Sequence, residues 1–275
     1  MEINGRTNGR SRLRLATIAA FVLGLLSAAS PVARAGDALA YQAATALARA
    51  TFANTQSGGI LAVKSHAADI ERALIGGREI IDDAAAHGTI LTDGGGESLG
   101  AMEIASKDGK SVVAVPNPYP FLALYLGSYY NEVGRPEDAL RVLTLGLSLF
   151  VRGGNPPLGR HWAALMSERG VALDALKRFD EALAGYDELL RQPNVDERSR
   201  ALIYRGRGFA LTEIGRLADA EAAYQKSLEI EPGNARALRE LSYIRSLKAG
   251  GQRAPGVVAP LQPHASQQEE EKPSY

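Results

Sequence analysis

The spacing of apolar residues predicts helices over most of the chain. Residues 37–54 carry Leu39, Tyr41, Ala44 and Leu47 near helical spacing. A second run with the same period extends from about 65 to 86. Alternating and proline-rich segments separate these runs from a third, longer helical region that begins near residue 120. The sequence therefore predicts a mainly all-α chain with one irregular segment.

The irregular segment predicts a β-hairpin near 101–115. Two β-prone runs flank Asp108 and Gly109. An Asp-Gly pair readily adopts the positive φ angles of a tight hairpin turn. The proline-rich stretch 116–120 predicts an extended connection after it, because proline has no N–H to donate inside a helix. Residues 36–119 are therefore expected to form a small helical region that contains the hairpin.

From residue 120 the chain repeats a pattern of 34 residues three times. Each copy has a glycine at its eighth position and an alanine at its twentieth. Such small residues allow two helices to approach closely, so each copy predicts a helix pair. The copies are 120–153, 163–196 and 201–234, with Gly127, Gly170 and Gly208 and with Ala139, Ala182 and Ala220.

This repeat resembles the tetratricopeptide repeat (TPR), most clearly in 201–234, which has Tyr204, Gly208, Ala220 and Tyr224 at matching positions. Arg169 and Arg207 depart from it, since leucine is usual there. The resemblance implies a short α-solenoid of three TPR-like helix pairs. Residues 235–248 predict a polar-faced helix that caps its end. The tail 249–275 has too few apolar residues to fold and is expected to be disordered.

The first 35 residues have the layout of a secretory signal peptide. Spaced arginines precede an apolar stretch, Leu15 to Ala29, and Ala33-Arg34-Ala35 follows as a small-residue cleavage site. An uncleaved anchor is the alternative, but the stretch is shorter than the roughly 20 residues of a spanning helix. We expect Sec-type export with cleavage near Ala35, a periplasmic or secreted location, and no stable membrane span afterwards.

Charge and cysteine content argue against some classes of partner and of site. Residues 1–35 hold five arginines and one glutamate, so the remaining chain has 26 basic and 30 acidic residues and a net charge of −4. This balance argues against a nucleic-acid partner. The chain has no cysteine, which excludes disulfides and thiolate metal sites.

The chain offers little chemistry typical of enzymes. Gly96-Glu97-Ser98-Leu99-Gly100 matches the G-x-S-x-G string of hydrolases, but too little chain precedes the repeats to form the sheet that this motif needs. His66 and His87 could be combined with Asp82 and Asp83 as metal ligands, but no metal-binding motif accompanies them. We expect no catalytic residues, no metal and no cofactor. The alternative is an enzyme or small-ligand protein whose site lies in 36–119, with the repeats as a docking module.

A binding groove is the stronger candidate, because stacked helix pairs present their first helices along a concave surface. The sequence thus predicts an exported scaffold or adaptor for a protein or peptide partner, in a cell-envelope assembly. The sequence allows two arrangements: the groove is accessible, or residues 36–119 fill it. The resemblance places thirteen residues in the groove: Phe121, Leu124, Ser128, Asn131, Glu132, Ser167, Val171, Asp174, Leu202, Arg205, Phe209, Thr212 and Glu213.

Overall fold

The computed structural model describes residues 35–92, 113–150, 161–193 and 195–252, and this part is mainly α-helical. The predicted signal peptide, the turn of the predicted hairpin and the tail beyond 252 lie outside the described residues. A 3-10 helix spans Ile60–His66. The α-helices are α1 Ala35–Gly58, α2 Ala67–Ala86, α3 Tyr119–Glu132, α4 Pro136–Ser148, α5 Trp162–Ala175, α6 Phe179–Arg191, α7 Glu197–Glu213, α8 Leu217–Ile230 and α9 Ala235–Lys248.

Each repeat forms a helix pair, which confirms the predicted fold class. The pairs are α3 with α4, α5 with α6 and α7 with α8. The turn inside each pair contains one residue with positive φ: Gly134 at 71°, Lys177 at 60° and Gly215 at 83°. The second turn thus places a lysine in the left-handed conformation that favours glycine.

The small repeat residues let the helices of a pair pack closely, as predicted. A Cβ atom added at Gly127 would collide with the Leu143 side chain. One added at Gly208 would lie 2.7 Å from the ring of Tyr224. Contacts this short do not occur between real side chains, so a larger residue would force the helices apart. The three repeat alanines are completely buried: Ala139, Ala182 and Ala220.

Successive pairs stack in one direction. The second helix of each pair packs against the first helix of the next, and α9 packs on α8 as the predicted capping helix. The first helices α3, α5 and α7 also touch one another along the stack, whereas α4, α6 and α8 approach one another little. The array therefore curves with the first helices on the inside. We call the side formed by α3, α5, α7 and α9 the inner face.

The N-terminal helices extend this array by one further pair. Helix α2 runs antiparallel to α3, because Gly77 lies against the Tyr119 ring while Glu71 accepts a hydrogen bond from the Tyr130 hydroxyl at 2.9 Å. Helix α1 packs against both α2 and α3. The sequence predicted two helical runs here. It did not predict that they stack like a repeat unit.

A two-stranded parallel sheet follows α2. Strand β1, Thr89–Thr92, pairs with β2, Val113–Pro116. The predicted hairpin placed 111–115 antiparallel to a neighbouring run. The first arm and the turn of that hairpin lie outside the described residues. The described part pairs in parallel with β1. The sequence did not predict this partner, because β-propensity does not specify which strands pair.

The proline-rich stretch is also less extended than predicted. Helix α3 begins at Tyr119, so Pro120 lies in its first turn. A missing N–H costs nothing there, since the first amides of a helix have no partner within it. The side chain of Asn117 fixes this start, because its Oδ1 accepts from the Tyr119 amide at 3.1 Å and its Nδ2 donates to the Leu149 carbonyl at 2.9 Å.

Candidate functional site

The thirteen residues predicted for the groove divide into two groups by burial. Six are buried between helices: Ser128, Asn131, Val171, Asp174, Arg205 and Thr212. Seven are half-buried and reach the surface: Phe121, Leu124, Glu132, Ser167, Leu202, Phe209 and Glu213. The half-buried group supplies the accessible part of the candidate site. The buried group packs between the helices that carry the accessible residues.

Aromatic rings cluster where α1 meets the first repeat. The Phe121 ring lies 4.3 Å from Tyr125, 5.7 Å from His161 and 6.4 Å from Phe52 of α1, measured between ring centroids. Thr55 of α1 forms a hydrogen bond with Tyr125. Helix α1 thus covers part of the inner face at the first unit. Among the described residues, the N-terminal region therefore covers the groove at its first unit and leaves the second and third units uncovered.

Glu168 is a buried carboxylate between the first and second units. Asn131 of α3 donates to its Oε2 at 2.9 Å, and Ser128 forms a further hydrogen bond to it. Burial is the main cause that raises the pKa of Glu168 to about 7, and the nearby Glu132 raises it further while the two hydrogen bonds oppose the shift. Glu168 was absent from the predicted groove set, because a carboxylate at its position is not part of the repeat pattern.

Asp174 is a second buried carboxylate on α5. Its Oδ2 accepts a hydrogen bond from the Tyr186 hydroxyl at 2.8 Å. Burial is the main cause that raises the pKa of Asp174 to about 8, with a contribution from Glu213 of α7, while the Tyr186 hydrogen bond lowers it. Helix α5 therefore carries two carboxyl groups that exchange protons near neutral pH.

The third unit combines an aromatic surface with a buried arginine. Phe209 meets Phe179 edge to face, with ring centroids 6.3 Å apart. The sequence predicted that Arg205 faces the groove, but its side chain turns toward α8. It donates to Ser227 at 3.0 Å and to Glu231 at 2.6 Å. A guanidinium left in the low-dielectric interface needs these acceptors, which decides its direction.

The two arginines that depart from the repeat pattern contact second helices of the preceding units. Arg207 donates to Asp187 of α6 at 2.7 Å. Arg169 donates to Thr144 of α4 at 3.4 Å. Each replaces an apolar contact between units with a polar one, so the departures leave the stacking intact.

The residues considered for enzymatic or metal chemistry are engaged locally. His66 forms a hydrogen bond with Asn54 at 2.9 Å, and His87 contacts the Asp83 carbonyl at 2.8 Å. No group of three or more histidine, aspartate or glutamate side chains is arranged for a metal within the described residues. The G-x-S-x-G string at 96–100 lies outside them. None of the described helices is both long and apolar enough to cross a membrane.

Comparisons with known proteins found similarity in structure. No protein-family model matches the chain, and no curated protein matches it in sequence. The first TPR domain of human RPAP3 is similar to it at 24% identity, with a TM-score of 0.41, over 48% of this chain and 93% of that one. The second TPR domain of human RPAP3, solved with the HSP70 peptide SGPTIEEVD, is similar at 23% identity, with a TM-score of 0.37, over 46% and 98%. The repeat sequence and the packing of its helix pairs make residues 119–248 a TPR-like array.

Proposed function

We propose that this protein is a scaffold or adaptor that holds a segment of another protein on its inner face and has no catalytic role. The observation that carries the proposal is the set of half-buried apolar side chains on two of the three first helices, Phe121 and Leu124 on α3 and Leu202 and Phe209 on α7. Side chains of this kind, set among carboxylates, give a bound segment both apolar anchors and polar contacts.

The third unit is the best place to test the proposal, because α1 partly covers the first. We expect Phe209→Ala to reduce co-purification of the partner at least tenfold, since aromatic anchors commonly contribute about 2 kcal/mol or more to an interface. The measurement is quantitative mass spectrometry of proteins that co-purify with the tagged chain.

A matched control is Glu229→Gln on α8. Glu229 is exposed and pairs with Lys226, and it lies on a second helix, away from the inner face. The proposal requires this variant to retain the partner. Equal retention by the Phe209→Ala variant, with an unchanged circular dichroism spectrum, would rule out the inner face of the third unit as the site.

We also propose that the chain works outside the cytoplasm, in a cell-envelope assembly. The support is the arrangement of residues 1–35: spaced arginines, an apolar stretch and Ala33-Arg34-Ala35. We expect the exported protein to begin at Gly36 when its N-terminus is sequenced from a periplasmic or secreted fraction. An intact Met1 on protein that stays in the cytoplasm would contradict this.

A further inference from the structure

The side of α1 that is turned away from the other helices is apolar. Tyr41, Ala44 and Ala48 of this helix are buried against the rest of the array. The opposite side carries a stripe at helical spacing that is exposed or half-buried: Leu39, Ala43, Ala46, Ala50, Ala53 and Ser57. We call this stripe the outer α1 face. Apolar side chains that are exposed side by side, rather than singly, mark an interaction surface.

The outer α1 face also carries no charge. The charged residues of α1 are Asp37 and Arg49. Asp37 acts electrostatically on Tyr119 and Arg49 acts on Tyr41, so both lie toward the buried side of the helix. The terminal unit of a solenoid needs a polar outer side in order to stay soluble by itself. Helix α9 meets this need with exposed basic residues such as Arg239, whereas α1 does not.

A surface pocket of about 560 Å³ lies where the outer α1 face ends, between α1 and the 3-10 helix. Ser57 lines this pocket from α1, and Leu61, which is 56% exposed, lines it from the 3-10 helix. Gly58 and Ala62 also line it, and their small size leaves room for a branched apolar side chain. The methylene groups of exposed Lys64 can cover such a side chain while the ammonium group stays in water.

The outer α1 face carries a protruding leucine at one end and the pocket at the other. Leu39 and Ser57 are separated by five helical turns, so they lie on one line along α1, about 27 Å apart. When two copies of a helix pair antiparallel, each end of one copy meets the opposite end of the other. Leu39 of each copy then lies at the pocket of the other. Ala46 and Ala50 meet at the centre, where their small side chains let the two helices approach closely.

We propose that two copies of this chain pair through their outer α1 faces about a two-fold axis, with Leu39 of each copy inserted in the pocket of the other. This surface and this partner are distinct from those of the proposed function. A two-fold contact places each face against a copy of itself, so a face without charge meets no repulsion. An uncharged face also offers a foreign partner little electrostatic basis for selection. The fit of Leu39 to the pocket, in contrast, is a property of this chain itself.

The size of the contact predicts a weak dimer. The outer α1 face is about 27 Å long and about 10 Å wide, which is the diameter of a helix. Contacts of this size lie at the low end of specific protein interfaces. We therefore expect a dissociation constant of about 10 μM, so that monomer and dimer coexist at concentrations that are convenient in solution.

Sedimentation equilibrium of the purified protein from about 1 to 100 μM measures the association. We expect Leu39→Arg to raise the dissociation constant of the dimer at least tenfold, because the charge cannot enter the pocket without losing its water. Leu39 is 67% exposed, so the circular dichroism spectrum of this variant should not change. Ile75→Arg is the matched control, since Ile75 is 73% exposed on α2 and lies outside the outer α1 face. This variant should dimerise like the unchanged protein.

The absence of cysteine in this chain allows a test of the antiparallel arrangement. Protein with Leu39→Cys is mixed with protein with Ser57→Cys, and a short bismaleimide crosslinker is added. We expect a covalent dimer from the mixture and little from either variant alone, because equivalent positions of the two copies lie about 27 Å apart in the antiparallel pair. A mixture of Ile75→Cys with Ser57→Cys should give no more product than the single variants.

Three results would overturn the proposed dimer. A protein that stays monomeric up to 100 μM would show that another molecule, or nothing, covers the outer α1 face. A dimer that persists in Leu39→Arg and is lost in Ile75→Arg would place the contact on α2. Crosslinking of Leu39→Cys protein with itself, at the yield of the mixture or above, would exclude the antiparallel arrangement. None of these results bears on the inner face, so the proposed function stands or falls separately.

Discussion

Raising the pH from 5.5 to 8.5 should lower the free energy of unfolding of this protein by about 5 kcal/mol. The cause is the pair of buried carboxyl groups on α5, Glu168 with a pKa of about 7 and Asp174 with a pKa of about 8. In the unfolded chain both groups return to ordinary values near 4. Each group is protonated in the folded state and ionised in the unfolded state over the window between those values.

The sign follows from proton binding. An acid whose folded pKa is raised holds its proton more tightly in the folded state, so its contribution is fully present below the unfolded pKa and is lost as pH rises through the folded pKa. The carboxylates with lowered pKa values, such as Glu71, Asp138 and Glu221, act in the opposite direction. Their effect falls below pH 5, where they begin to take up protons, so it does not mask the change in the window from 5.5 to 8.5.

Amide variants assign the effect. Glu168→Gln keeps an oxygen that can accept from Asn131, and Asp174→Asn keeps one that can accept from Tyr186, so each variant removes ionisation while preserving the hydrogen bond. We expect each to remove roughly half of the pH dependence. Urea unfolding followed by the fluorescence of Trp162, the single tryptophan, measures it. Stability that stays constant or increases from pH 5.5 to 8.5 would contradict the burial of both groups.

Replacing Gly170 by alanine should destabilise the protein by about 2 kcal/mol, although alanine is the better helix former. An added Cβ would lie 2.5 Å from Cε1 of Tyr186 and 2.7 Å from its hydroxyl oxygen. The ring cannot move away, because it is 1% exposed, lies against Gly206 on its other side and donates its hydroxyl to Asp174. The expected decrease in melting temperature is about 6 °C by differential scanning calorimetry.

The chain offers a matched control at Gly185, which lies on α6 next to Tyr186. A Cβ added there would meet no atom closer than 3.8 Å, at the end of the Met166 side chain. Gly185→Ala should therefore leave the free energy of unfolding unchanged or increase it by up to about 1 kcal/mol, because alanine has the higher helix propensity. If both variants were equally stable, the close packing of Tyr186 between two units would be wrong.

The repeat part of the fold was predictable because its signal is steric and local. Gly127, Gly170 and Gly208 recur where a side chain would collide with the second helix, so glycine at this spacing marks the helix pairs in the sequence. The N-terminal pair carries no such signal. It packs on the first repeat through Gly77 of α2, which lies against Tyr119 of α3. These two residues are far apart in sequence and are not part of the repeat pattern. The parallel pairing of β1 with β2 also depends on contacts between distant segments, which local sequence patterns do not specify.

The sequence predicted which positions lie at the candidate site, but not where every side chain there points. The repeat placed Asp174, Phe209 and Glu213 on the inner face, and the structure brings them to neighbouring helices. Arg205 was assigned to the same face on position alone, yet its side chain turns to Ser227 and Glu231. Direction depends on which acceptors a buried charge can reach, and the sequence does not specify that. Glu168 was missed because its burial becomes evident only when α3 and α5 are packed together.

The central claim, that the inner face holds a partner segment, is tested most directly by site-specific photocrosslinking in intact cells. A photoreactive amino acid is placed at Phe209 on the inner face or at Glu229 on the outer side, and crosslinked products are compared by immunoblotting and mass spectrometry. We expect a discrete product from position 209 that is absent from position 229. A product from position 229 alone would contradict it.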